Sequence, residues 1–334
     1  MGMIKRSKVI IALSVILIIT ASWGFLVHKT VHQLAVYELP KEILPFFYQN
    51  MDYLVTNAPR PDMRRNQDPT EATKHFIDLE IYGDDAANKM PIDWDAAVKK
   101  YTKDTLLKYG YLPYHIIYMK GRLTESFRKG DKDSILFYAT DMAHYIGDAN
   151  VPLHTSINYD GQLTGQKGLH SLWESMIPEL EIANYNLYST HTATYLKKPE
   201  TAVWEAVRHA AALTPDVFAK EKEVSKGFTD AQKFRIQMRN GRESKSYTTE
   251  FAKAYAAALK NTINEQLIHS ADLIADFWYT SWVDAGKPDL SGITPGWSPE
   301  SQSKLDNELK SFKENKLIEN KLLLSKKAAV KEGD

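Results

Sequence analysis

The chain has 334 residues, no cysteine, and 42 Lys and Arg against 42 Asp and Glu. With 43% apolar and 25% charged residues it is rich enough to bury a core and is not a disordered chain. The missing cysteines exclude a disulfide scaffold, thiolate zinc sites, a Cys nucleophile and a lipidated Cys, and the balanced charge argues against binding duplex DNA across a broad basic face.

The first 22 residues read as a secretory signal. Lys5, Arg6 and Lys8 precede an apolar run over 9–19, too short to span a bilayer of ~30 Å comfortably, and Thr20-Ala21-Ser22 supplies small residues for cleavage. The other reading is an uncleaved anchor. Cleavage before Trp23 removes three positive charges and no acid, giving a slightly acidic, exported chain with no integral membrane segment, placed in the periplasm or outside the cell.

The remainder reads as helices. Apolar spacing predicts one over 25–37, ended by Pro40, and a second over 42–55 with a kink near Pro45. Residues 57–70, dense in Pro, Asn and Asp, read as a loop. Helices follow over 94–108, 114–129 and 131–148, the last with Leu136, Ala139, Met142, Ala143 and Ile146 in one stripe. A glycine-rich loop covers 158–168, a short helix starts near Leu169, and longer helices cover 201–213 and 249–285. In the last of these, Leu259, Ile263, Leu267, Ala271, Ile274 and Trp278 recur every three or four residues as a core stripe. No strong strand pattern is present. The expected organisation is a signal peptide over 1–22, one all-α domain over 23–286, and a polar, flexible tail or marginal helix over 287–334.

Five of the ten histidines fall in a pattern. His144 and Asp148 are four apart on one helix face, His154 follows by six residues, and His170 and Glu174 form another i, i+4 pair. Imidazole and carboxylate together suit zinc, and one such pair lets a single helix face grip one ion. His32, His115, His191, His209 and His269 match no such pattern and are assigned to core or surface.

The motifs WGFLVH (23–28), PDMRR (61–65), HFID (75–78), HYIGDANVPLH (144–154) and GLHSLWE (168–174) occur in an order that resembles one superfamily. It joins bacterial zinc-dependent phospholipases C with the fungal and plant single-strand-specific zinc nucleases of the P-one type. The resemblance runs from Trp23 to about Trp282. It implies an all-α domain with a trinuclear zinc site between helices. It also implies Asp62, His75, His144 and Asp148 around a first zinc, and His154, His170 and Glu174 around a second. A third zinc would take the free amine and carbonyl of Trp23 together with His28 and Asp148, so cleavage before Trp23 would itself complete the site. Asp148 would bridge the first and third ions, and Asp62 lies close to the first and second.

Two zinc ions ~3.5–4 Å apart can share a water and lower its pKa toward ~7, giving a zinc-bound hydroxide that attacks phosphorus in line. Asp62 is the candidate base for that water. Asn158 either contacts substrate or turns its loop, and Phe76 either stacks on a base or fills the core. The expected substrate is a phosphodiester, either a phospholipid head group or a single-stranded nucleic acid. Glu174 and the sixteen-residue step from His154 to His170 resemble the phospholipases, whereas Trp23-x4-His28 and LHSLWE resemble the nucleases. The balance leans slightly to phospholipase C-like activity, with nuclease or nucleotidase activity close behind. A non-catalytic zinc-binding exported protein is the third reading, disfavoured because catalytic sites, unlike closed structural ones, keep an open position.

Overall fold

In a computed structural model of the protein, residues 24–326 are described, apart from 240, 241 and 295. Helix α1 (Phe25–Tyr37) starts after Gly24, whose φ of 84° is open to a residue without Cβ, and is buried from Thr30 to Tyr37. The predicted 42–55 helix is two, α2 (Leu44–Gln49) and α3 (Met51–Asn57). Pro45 lies in the first turn of α2, where its missing N–H costs nothing, so the break falls at Asn50 instead. The expected 57–70 loop contains a short helix, α4 (Arg60–Arg64), that carries Asp62.

After α5 (Ala86–Lys89), the expected 94–108 helix divides at Thr102 (φ 67°) into α6 (Trp94–Tyr101) and α7 (Lys103–Tyr109). The Thr102 side chain accepts from Thr105 N and caps α7. Helices α8 (Leu112–Lys129) and α9 (Lys132–Ala149) form a hairpin closed by Gly130, in the left-handed region, and by Asp131, which accepts from Ser134 N. A continuous helical run over 169–181 comprises α10 (Leu169–Ser171), a π turn (Leu172–Met176) and α11 (Ile177–Glu181). Helix α12 (Pro199–Ser225) outruns its predicted end and carries Pro215 inside. After α13 (Asp230–Lys233) comes an antiparallel hairpin, β1 (Phe234–Arg239) and β2 (Arg242–Tyr247), with Phe234 opposite Tyr247 and Arg239 opposite Arg242. It was not expected, although β1 alternates Phe234, Ile236 and Met238 with Arg235, Gln237 and Arg239; only β2 (RESKSY) is polar throughout most of its length. The Asn240-Gly241 dipeptide is the sequence signal that marks it.

The 249–285 helix also divides, at Lys260 (φ 53°), into α14 (Thr249–Leu259) and α15 (Thr262–Asp284). The break splits the predicted stripe. Leu267, Ala271, Ile274 and Trp278 join the main core with α1, α3, α8 and α9, while Leu259 and Ile263 join a second cluster with Leu172, Trp173, Phe251 and Tyr255. Trp278 locks the main core by stacking on Phe47 at 4.7 Å and donating its indole N–H to Ala139 O.

Residues 287–326, expected as a flexible tail or a marginal helix, include a helix that packs on the domain. Helix α16 (Pro299–Lys313) and the residues after it bury Leu305, Phe312, Leu317 and Leu323 in the main core. The same segment serves the buried polar groups of α1. Gln33 donates to Leu322 O and accepts from Leu324 N, Thr30 meets Ser325, and Tyr37 donates to Glu308. A few apolar residues on one face of an otherwise charged stretch are enough for this, and average polarity hides them. Phe312, 3% exposed between Tyr37 and Tyr188, should therefore cost ~3–5 kcal/mol on replacement by Ala in urea unfolding; a free tail would give no change.

Candidate metal centre

The site forms where α1, α4, α9 and the 169–181 run meet, between the two hydrophobic clusters. Helix α9 presents His144 and Asp148 on one buried face. Gly147 between them carries no Cβ, and one added there would stand 3.1 Å from His28 Nδ1. The glycine thus lets the His28 ring, near the start of α1, lie against α9. That ring stacks on His144 at 3.9 Å, with its Nε2 3.4 Å from Asp148 Oδ1.

His75 follows a 3-10 turn (Ala72–Lys74) and places Nδ1 2.9 Å from Asp148 Oδ2, 3.2 Å from His144 Nε2 and 3.7 Å from Asp62 Oδ1. Asp62 Oδ1 is 3.8 Å from His144 Nε2. His154, on the 3-10 turn Pro152–Thr155, points Nε2 at Glu174 Oε1 (2.9 Å) and His170 Nε2 (3.0 Å), and His170 Nε2 is 2.8 Å from Glu174 Oε2. The π turn carries Glu174, and such wide turns are frequent where a helix must aim side chains at a site.

Three groups of convergent ligand atoms result: His28, His144 and Asp148; Asp62, His75 and His144; and His154, His170 and Glu174. Every predicted ligand among the described residues is in one of them. Trp23 lies outside the described residues. None of the five histidines set aside from the pattern enters a group among the described residues.

The donor set fits a cation. His144 Nδ1 is 2.9 Å from Ala58 O and His154 Nδ1 faces His75 O at 2.5 Å, so each ring donates outward and turns Nε2 inward, where a cation would take the place of a proton. The Glu174 carboxylate reaches both His154 Nε2 (2.9 Å) and His170 Nε2 (2.8 Å), and His28 Nδ1 is buried without a hydrogen-bond partner. Nitrogen and oxygen atoms mostly 2.8–3.8 Å apart and aimed at common points match the ~3.3 Å edge of a tetrahedron with bonds of ~2.0–2.1 Å.

The electrostatics agree. Burial would raise the Asp148 carboxyl, but His144, His154, His28 and His75 hold it well below the usual range. Burial likewise opposes ionisation of Glu174, and His170 and His154 overcome it. Burial disfavours charge on His154, but Glu174 and Asp148 push it up to about 9. Burial and then His28 keep His144 well below the ordinary imidazole range.

The open side of the site is marked by the partly exposed His170, Asp62 and Glu174. On its rim Arg65 pairs with Asp62 at 3.0 Å, and the half-exposed Tyr159 sets its ring edge against His170 at 5.8 Å. Neither was singled out from the sequence, although Arg65 sits inside the PDMRR motif. Phe76 is half-buried and belongs to neither core cluster; Gly110, without a Cβ, lets the chain pass against its carbonyl. Asn158 uses its side chain on its own loop, accepting from Leu163 N and donating to Thr164 Oγ1.

A family model described as S1/P1 Nuclease matches residues 23–276. Comparison with curated proteins gives no match.

Two outcomes follow from this geometry. Gly147→Ala places a methyl against His28, so metal affinity should fall in a chelator-competition titration even though Ala favours a helix interior by ~1 kcal/mol over Gly. Unchanged affinity would show that the His28 ring does not need the space. Second, the raised His154 value, about 9, lies above the ~6.5 of an unfolded imidazole. In metal-free protein its contribution to stability is present below pH ~6.5 and lost as the pH rises through about 9. Calorimetry of chelator-treated protein should show Tm falling across that interval, with the fall absent once metal replaces the proton.

Proposed function

The chain belongs to the S1/P1 nuclease family, a metal-dependent family of phosphodiester hydrolases, and on that footing we propose that it hydrolyses single-stranded nucleic acid with three zinc ions. The family match over residues 23–276 carries this reading, and it moves the balance from lipid head groups to nucleic acid.

Asp62, His75, His144 and Asp148 would hold one ion, His154, His170 and Glu174 a second, and His28 and Asp148 with the Trp23 amine and carbonyl a third. Nitrogen and oxygen donors without thiolates suit zinc in a site of the catalytic kind. Ions held there supply Lewis acidity toward phosphoryl oxygens and acidify water. The protein's own groups do the rest. Ala58 O and His75 O fix the His144 and His154 rings. Asp62, partly exposed on the open side, would be the group that accepts the proton of the attacking water. Arg65, exposed and held by Asp62, faces an incoming phosphate. Phe76 and Tyr159 offer ring faces on which unpaired bases stack, which suits a single strand better than a closed duplex.

One observation favours a second reading, phospholipase C-like activity on a cationic head group. A cleft of about 520 Å³ beyond Asn158 is lined by Glu80, Asp84 and Asp85. We place the mature protein outside the cytoplasm, beginning at Trp23, because the signal-like segment ends at Ser22, one residue before the family match starts. Among the described residues no helix is long and apolar enough to cross a membrane.

Purified protein should cleave single-stranded DNA and RNA. It should lose activity in chelator, recover it with zinc, and fall more than ~100-fold in His144→Ala. Cleavage of phosphatidylcholine but not nucleic acid would transfer the assignment to the second reading. No turnover on any phosphodiester would leave a non-catalytic zinc protein. Mass spectrometry of the exported form should give a chain starting at Trp23; any other start removes the third ion's ligand set.

A further inference from the structure

We propose that Glu71 is a positioning residue for His75, holding the proton on the outer ring nitrogen so that Nδ1 faces the metal site. The inference rests on the reading that His75 takes a metal through Nδ1. Glu71 stands four residues before His75, is completely buried, and places Oε1 3.6 Å from His75 Nε2. That nitrogen is buried and has no hydrogen-bond partner, so Glu71 is the acceptor it faces. The other ring nitrogen, Nδ1, is the one 2.9 Å from Asp148 and 3.7 Å from Asp62.

The neighbouring rings show what the arrangement does. His144 and His154 each turn one nitrogen outward to a backbone carbonyl, of Ala58 and of His75. His75 has a carboxylate in the equivalent place, and a carboxylate both fixes the tautomer and makes the imidazole a stronger donor to a cation. A buried carboxylate needs compensation, and Glu71 receives it from Arg64 Nη2 (3.1 Å), Lys74 Nζ (2.6 Å) and the Tyr145 hydroxyl. Arg64 is in turn anchored on Asp141, 2.7 Å away on α9. The carboxylate is thereby tied to the helix that carries His144 and Asp148.

A purely structural Glu71 would neutralise Arg64 and Lys74 and leave metal binding alone. The test uses the full mature chain with zinc and with cobalt as a spectroscopic substitute. Glu71→Gln should bind one ion roughly 10–100-fold more weakly in chelator competition and shift the visible cobalt absorption, with Glu71→Asp recovering part of the loss. Wild-type zinc affinity and an unchanged cobalt spectrum in Glu71→Gln would overturn the proposal, provided His75→Ala loses an ion. If His75→Ala binds as wild type, the ligand reading itself fails. Should Glu71→Gln not fold, nitrogen-15 NMR of the zinc-loaded wild-type protein decides: the proposal requires a slowly exchanging proton on His75 Nε2, and metal on that nitrogen or a freely exchanging proton overturns it.

Discussion

The charge on Asp148 is the constraint around which the molecule is arranged. Its carboxylate is 1% exposed, and an ionised carboxylate in that position is tolerable only when surrounded by partners. Four imidazoles supply them, with His75 at 2.9 Å, His28 and His144 at 3.4 Å, and His154 at 3.7 Å. The four come from three separate stretches of chain, around residues 28, 75 and 144–154, so bringing them to one carboxylate fixes how α1, α9 and the turns around residues 75 and 154 pack. Any small displacement would leave a buried charge unpaired.

The scaffold meets that demand with local devices. Gly147 lets α1 approach α9 closely enough for His28 and His144 to stack. The π turn carries Glu174 toward His154 and joins the second hydrophobic cluster to the first. Glu71, Arg64, Tyr145 and Asp141 form a buried polar net behind His75, and its partners leave no bare charge facing apolar surface. Backed by this rigid wall, the site opens on the side of Asp62, His170 and Tyr159, as a centre that must admit an outside group requires.

Legibility in the sequence followed the strength of each local signal. Helices α1, α8 and α9 were readable because their apolar residues recur at helical spacing and their ends carry Pro, Gly or Asp. The breaks at Asn50, Thr102 and Lys260 were not, since none is a Gly or Pro that would mark a break, and Thr102 and Lys260 nonetheless take positive φ. The β-hairpin was legible in the alternation of β1 and in Asn240-Gly241 but is too short and isolated to stand out in a helical chain, whereas α16 is polar on average and the few apolar contacts that hold it become visible only when the core that receives Leu305 and Phe312 exists.

For the site, the sequence by itself determined which donor types are available. Cysteine is absent, His–carboxylate pairs sit at i, i+4, and nitrogen and oxygen donors at that spacing make a cation site the candidate. Such information is carried by residue type and short spacing, both properties of the chain alone. Only the tertiary structure decided which nitrogen of each ring points inward, that Asp148 stands at the centre, and that Glu71, an ordinary acid in the sequence, faces the back of His75. Those outcomes depend on burial and on partners tens of residues away. The same carboxylate is a solvated surface charge or a buried anchor according to what the fold places against it.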